Sequence, residues 1–114
     1  MKKKSAKNYL DLIPERNPDI ASENDENGLL VLLVENRGIF NKIAQKIFKK
    51  PRVSRIHLDE QGSYIWPLID GGLNVMQLAE RQKKQFGEAV EPLYPRFVKY
   101  MQIMESYGFI KFKQ

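Results

Sequence analysis

The period of hydrophobic and polar positions changes several times along this chain, and each change marks an element. Leu29-Leu30-Val31-Leu32-Leu33-Val34 is continuously apolar, the pattern of a strand covered on both faces. Before it, residues 19–24 read as a weak strand. Asp25-Glu26-Asn27-Gly28 reads as the reversal of a hairpin, Asn-Gly suiting a type I′ turn. After it, Ile39, Phe40, Ile43, Ala44, Ile47 and Phe48 form a two-row apolar stripe, while Asn41, Lys42, Gln45, Lys46, Lys49 and Lys50 face away. That spacing predicts an amphipathic helix over 39–49, stopped by Pro51. Its basic outer face either meets a partner or keeps the protein in solution, and solvation is the default. In Val53–Leu58 the period falls to two, Arg55 and His57 alternating with Ile56 and Leu58. This is a half-buried third strand.

Beyond that strand the period is helical. Asp59 stands where an N-cap belongs, and Tyr64, Ile65, Leu68 and Ile69, with the only tryptophan, Trp66, predict a helix near 60–70 ended by Gly71-Gly72. Asn74 with Gln77 three residues on is a capping-box start for a helix over 74–86. Val75, Leu78, Ala79 and Phe86 are expected inward and Arg81, Lys83 and Lys84 outward, with Gly87 at its end. Glu91-Pro92 opens a third helix over 92–107, and Pro95 is close enough to its start to be tolerated. Gly108 ends it, and Phe109-Ile110-Lys111-Phe112 is a closing strand or wing-like tail. Upstream, the apolar patch Tyr9–Ile13 is stopped by Pro14, and Asn17-Pro18 marks a turn or an extended entry. The fold class is α+β and winged-helix-like: a small antiparallel sheet of a β-hairpin plus a third strand, then a three-helix bundle, with the 39–49 helix inserted. Trp66 is expected to be buried where the helices meet.

Composition narrows the chemistry. With 114 residues the chain is expected to form one domain over 9–114, preceded by a solvated, disordered basic tail over 1–8 that carries Lys2, Lys3, Lys4 and Lys7. There is no cysteine and one histidine, His57. No Cys/His dyad, thiolate site or multi-histidine metal site can therefore form, and no glycine-rich phosphate loop precedes a helix. Asp59 with Glu60, and Asp11 with Glu15, read as caps and solvated charges rather than acid and base. The acidic oxygens of Asp25 and Glu26 lack the remaining ligands of a calcium loop and read as turn chemistry. The expectation is a protein that is not an enzyme and has no cofactor and no metal. No apolar run approaches the roughly 20 residues that span a bilayer, and Met1-Lys2-Lys3-Lys4 is not a secretory start, so a soluble, cytoplasmic protein is expected.

The net charge of +5, from 19 Lys plus Arg against 14 Asp plus Glu, attracts nucleic acid and acidic peptides alike. On the third helix, Leu93, Tyr94, Phe97, Met101 and Met104 fill an arc wide enough to face a core. Tyr100, Ile103 and Tyr107 extend that stripe, with Arg96 among them. The extra arc is either covered, by a wing or a second copy of the chain, or it is a groove for an extended peptide beside the 53–58 strand, whose edge can accept another strand. As a DNA reader the helix is thin, its outward set being Arg96, Lys99, Gln102, Glu105 and Ser106.

The order of motifs carries a resemblance. A strand ending in Leu58-Asp59-Glu60 leads into a helix with Ile65-Trp66, Leu68 and Asp70-Gly71. A helix bearing Leu78-Ala79-Glu80 follows, and a last helix closes on Gly108-Phe109-Ile110. Over residues 53–112, and loosely over the preceding hairpin, this resembles the PqqD family; the 39–49 helix departs from that pattern. The shared residues are a fold-and-packing signature, and none is catalytic. The resemblance implies a non-catalytic peptide chaperone that holds the leader of a ribosomally made precursor and presents it to a modifying enzyme, commonly a radical SAM enzyme. It implies that the leader pairs with the third strand and packs on the third helix. The corresponding positions are Val53, Ser54, Arg55, Ile56 and His57, with Arg96, Lys99, Tyr100, Ile103 and Tyr107 assigned by helical geometry. The expected partners are a precursor leader peptide and the modifying enzyme, with no membrane, no nucleic acid, and a monomer or homodimer. The alternative is a small winged-helix DNA-binding transcriptional regulator.

Overall fold

The computed structural model describes residues 9–36 and 52–113. The elements in chain order are β1 (Pro14–Arg16), β2 (Ala21–Asn24), β3 (Leu30–Asn36), β4 (Arg52–His57), α1 (Glu60–Ile65), α2 (Val75–Phe86), α3 (Leu93–Ser106) and β5 (Ile110–Phe112). Short 3₁₀ turns occupy Tyr9–Asp11, Trp66–Leu68 and Gly87–Val90. The class is α+β, small antiparallel sheets with three helices, as the patterning predicts. The basic tail over 1–8 and the helix over 39–49 lie outside the described residues. The chain divides into two compact units, Pro18–Asp59, and Met1–Asn17 with Glu60–Gln114.

In the first unit β2, β3 and β4 form an antiparallel sheet in that order. The register sets Ala21 opposite Leu33 and Glu23 opposite Val31, then Leu32 opposite Ile56 and Leu33 opposite Arg55. The unbroken apolar run becomes the central strand, with Val31 and Leu32, on opposite faces, both wholly buried. The hairpin turn differs from the Asn-Gly type I′ expectation. The Gly28 N–H donates to the Asp25 carbonyl at 3.0 Å and the Asp25 N–H to the Leu29 carbonyl at 2.7 Å, so the loop has three residues, not two. Asp25 Oδ1 accepts the N–H groups of Asn27 and Leu29, which favours a type I turn, and Gly28 completes it at φ +82°.

In the second unit β1 pairs with β5. Nothing in the apolar patch or its proline suggested a strand at 14–16. The Lys113 N–H donates to the Ile13 carbonyl at 2.8 Å and the Asn17 N–H to the Phe109 carbonyl at 2.9 Å. The hydrogen-bonded positions are therefore the odd-numbered residues of β1, and Pro14 sits where no ladder donor is required. Its outward carbonyl accepts the Gly71 N–H at 3.1 Å. Gly71 has φ +88°, and a Cβ there would meet Glu15 Oε1 at 3.3 Å, so this close approach requires glycine.

The helix predicted over 60–70 stops at Ile65 and continues as the 3₁₀ turn Trp66–Leu68. Pro67 has no N–H for the carbonyl of Ser63 and its ring crowds that turn. Arg16 Nη1 donates to the carbonyls of Trp66 and Pro67 at 3.1 and 2.8 Å, and the Trp66 carbonyl also accepts the Ile69 N–H at 3.1 Å. The α2 start matches expectation, with reciprocal bonds between Asn74 and Gln77, and Gly87 ends it at φ +65°. The third helix begins at Leu93, which puts Pro95 in the first turn where its missing N–H is not needed. Pro14, Ile65, Trp66, Ile69, Val75, Leu78, Ala79, Val90, Phe97, Met101, Met104 and Ile110 are buried in this unit. Trp66 is 4 % exposed, as expected. On α2, Gln82 is buried while Phe86 is only half-buried, its ring edge-on to Tyr64 across to α1.

Candidate functional site

Along β4 the main chain alternates between partner and edge. The Leu58 N–H donates to the Leu30 carbonyl at 2.9 Å, and Leu30 opposes Leu58 in the register that pairs Val31 with His57. Residues of even number on β4 therefore bond to β3. Val53, Arg55 and His57 direct both N–H and carbonyl to the outer side. Among the described residues no strand pairs there.

The same alternation sorts the side chains. Val53, Arg55 and His57 share one face and are exposed, Val53 by 53 %. Ser54 and Ile56 lie on the other face and are half-buried. The five predicted strand positions thus split, three to one surface and two to the other. Arg55 Nη2 lies 2.8 Å from Glu23 Oε2, an ion pair that reaches over the central strand from β4 to β2. Glu23 was absent from the sequence-based candidates. It joins Arg55 only once the register of three strands is known.

The other candidates lie on α3, in the other unit. Arg96, Lys99, Ile103 and Tyr107 follow helical three- and four-residue spacing and are exposed, Ile103 by 43 % and Tyr107 by 68 %. Tyr100 is half-buried, its ring tilted against Phe97, and Tyr107 rests against Phe109. Phe97, Met101 and Met104 are buried as the core arc predicts. The extra arc therefore does reach solvent at Ile103 and Tyr107.

Arg96 is engaged within its own unit. Its Nη1 donates to the carbonyl of Glu91 at 3.1 Å and, more weakly, to that of Ala89 at 3.4 Å. Glu91 Oε1 accepts the Leu93 N–H at 3.0 Å and caps the helix. Its other oxygen is hydrogen-bonded to Lys83, which also lies 3.9 Å from Glu88. The Lys83 bond, then the Leu93 N–H, hold the Glu91 carboxyl below its ordinary range. The same bond raises Lys83. Lys83, expected on a purely solvated face, is half-buried in this junction. Burial, then the bond from its hydroxyl to Glu80, raises Tyr94. Tyr9 is pushed up to about 12 by burial and then by the Glu105 charge.

Among the described residues no group of three or more His, Cys, Asp or Glu is placed to hold a metal ion, and no helix is long and apolar enough to cross a membrane. The arrangement offers main-chain pairing, exposed apolar side chains and cations. It suits binding.

No curated protein and no solved structure was found to match the chain. The family model described as "Coenzyme PQQ synthesis protein D (PqqD)" matches residues 30–110, more than half the length and from the first residue of β3 to the first of β5. Members of that family are accessory binding proteins rather than catalysts. On that match the chain belongs to the PqqD family, among the proteins associated with biosynthesis of PQQ and of ribosomally made, modified peptides.

Proposed function

We propose that this protein is a non-catalytic peptide chaperone that binds the leader of a ribosomally made precursor by strand addition and presents it to a modifying enzyme of the radical SAM or a related class. The observation that carries the reading is the outer edge of β4. Three successive alternate residues, Val53, Arg55 and His57, turn their main-chain groups outward where no described strand receives them. An extended peptide laid antiparallel there would form hydrogen-bonded pairs with all three, and main-chain pairing supplies register while side chains supply selectivity. Ser54 and Ile56 would flank the added strand from the opposite face. Arg96, Lys99, Tyr100, Ile103 and Tyr107 of α3 are proposed as a second contact set, supported by the exposure of Ile103 and Tyr107 and by family membership. A cysteine-free, basic chain suits an acidic peptide in a reducing cytoplasm.

The test is an amide chemical-shift titration with synthetic candidate leader peptides, and random duplex DNA as the control. The reading expects saturable shifts at 53–57, with a second set on α3, and none from DNA. Shifts absent from β4 at saturation refute strand addition. Micromolar duplex binding with a steep salt slope would make the protein a nucleic-acid binder instead.

A further inference from the structure

The ion pair between Arg55 and Glu23 says what the peptide should carry. We infer that Arg55 reads a carboxylate on the bound peptide, and that Glu23 occupies Arg55 in the free protein and is displaced when the peptide docks. This rests on the strand-addition reading and names the chemistry of its ligand.

Arg55 lies on the exposed face of β4 with Val53 and His57. Its guanidinium meets Glu23 Oε2 at 2.8 Å by reaching across β3, from one outer strand of the sheet to the other. That reach crosses two strand spacings, about 9–10 Å. A peptide strand on the outer side lies one spacing away, about 5 Å. The residue opposite Arg55 would share its hydrogen-bonded pair and project from the same face. An Asp or Glu there is carried one strand spacing from Arg55 rather than two, and can take both arms of its fork. The present pair is half-exposed on both sides, with side chains 53 % and 46 % accessible. Exposed pairs of this kind hold weakly, so the exchange of one carboxylate for another costs little.

The geometry also fixes the neighbour. In an antiparallel peptide, the residue two positions after the carboxylate faces Val53, which is 53 % exposed and apolar. The preferred ligand is therefore an extended segment with an acidic residue, any residue, then an apolar one. Glu23 acts as an internal competitor that moderates the affinity for acidic peptides, since they must displace it whereas neutral peptides leave the native pair in place.

A displayed library of random heptapeptides, panned against the full chain, provides the probe. The expected outcome is enrichment of Asp or Glu two residues before Val, Ile, Leu or Phe. A synthetic copy of the best peptide with its acid changed to the amide should bind about fivefold more weakly, as for one partly exposed charge pair. Glu23→Gln should tighten the acidic peptide by about two- to fivefold and leave the amide copy unchanged. Arg55→Gln should bring the two peptides to equal affinity. His57→Pro, with Val53→Pro as a second variant and the amide spectrum as a check of folding, reports the strand addition itself. Peptides that need the strand but ignore Glu23→Gln and the acid-to-amide change overturn this inference and leave strand addition standing. Peptides indifferent to both prolines, or no enrichment at all, overturn both.

Discussion

The sheet of β2, β3 and β4 has two outer strands of opposite character. On β2 the ladder turns Ser22 and Asn24 outward, so a four-residue strand offers two docking positions. Glu23 lies within it, and Asp19, Asp25 and Glu26 flank it in the chain. On β4 the outward positions are Val53, Arg55 and His57, in a strand of six. Backbone groups at the two edges are chemically identical. What distinguishes them is the number of pairs in register and the sign of the side chains that stand over them. A short acidic edge resists additional strands, which is how natural sheets keep edges from pairing indiscriminately. A longer edge with an arginine and one apolar side chain invites an acidic, extended partner.

The most damaging substitution should act at neither edge and so set the scale for the rest. Trp66→Ala removes a ring that is 4 % exposed, and urea unfolding should show a loss of about 3–5 kcal/mol. A loss below about 1 kcal/mol would mean that the ring is dispensable to packing.

Proline separates the edges next. Arg55→Pro or His57→Pro deletes an outward N–H on β4 and should abolish leader binding in calorimetry, while Ser22→Pro on β2 should leave it nearly intact. Equal losses from both edges would erase the distinction drawn between them.

Charge reversal on α3 should have a smaller effect. Arg96→Glu should weaken leader binding several-fold, and Lys84→Glu, exposed on α2, is the control. Lys83 cannot serve, because its ammonium is tied to Glu91. Arg96 also donates to the carbonyls of Ala89 and Glu91, so helicity must be measured alongside. If the two reversals weaken binding equally, only net charge is at work.

The smallest effect is a pH dependence of the junction before α3, away from both edges. Glu91 is lowered in the folded protein, so its contribution is present above the ordinary carboxylate range and is lost as pH falls through its depressed value. Lys83 is raised, so its contribution is present below the ordinary lysine value and is lost as pH rises through the elevated one. Stability should therefore sag at both extremes, and Glu91→Gln should flatten the acid limb in thermal melts at graded pH. An acid limb identical in Glu91→Gln and the native protein would remove the bond from the account.

Much of this was readable from the chain because the relevant signals are local. The unbroken run at 29–34, the two-residue period at 53–58 and the Asn74/Gln77 box each fix an element with their own residues. Proline misled in both directions. Pro67 cut a predicted helix short, whereas Pro14 opened an unpredicted strand because its missing N–H falls at a position that bonds nothing in the ladder. The β4 edge was legible as a strand but not by its outward set, since deciding that Arg55 and His57 both turn outward needs the Leu58–Leu30 bond. The Arg55–Glu23 pair was hidden for the same reason. Register is a property of partners, and composition near one strand does not reveal it.

Amide hydrogen exchange, residue by residue, reads the outward set itself. In the free protein, Val53, Arg55 and His57 amides should exchange quickly while Ile56 and Leu58, bonded to β3, exchange slowly. With saturating leader peptide the three fast amides should become protected, and those of Ser22 and Asn24 should not change. Saturated binding that leaves Val53, Arg55 and His57 unprotected, or that protects Ser22 and Asn24 instead, contradicts strand addition at β4.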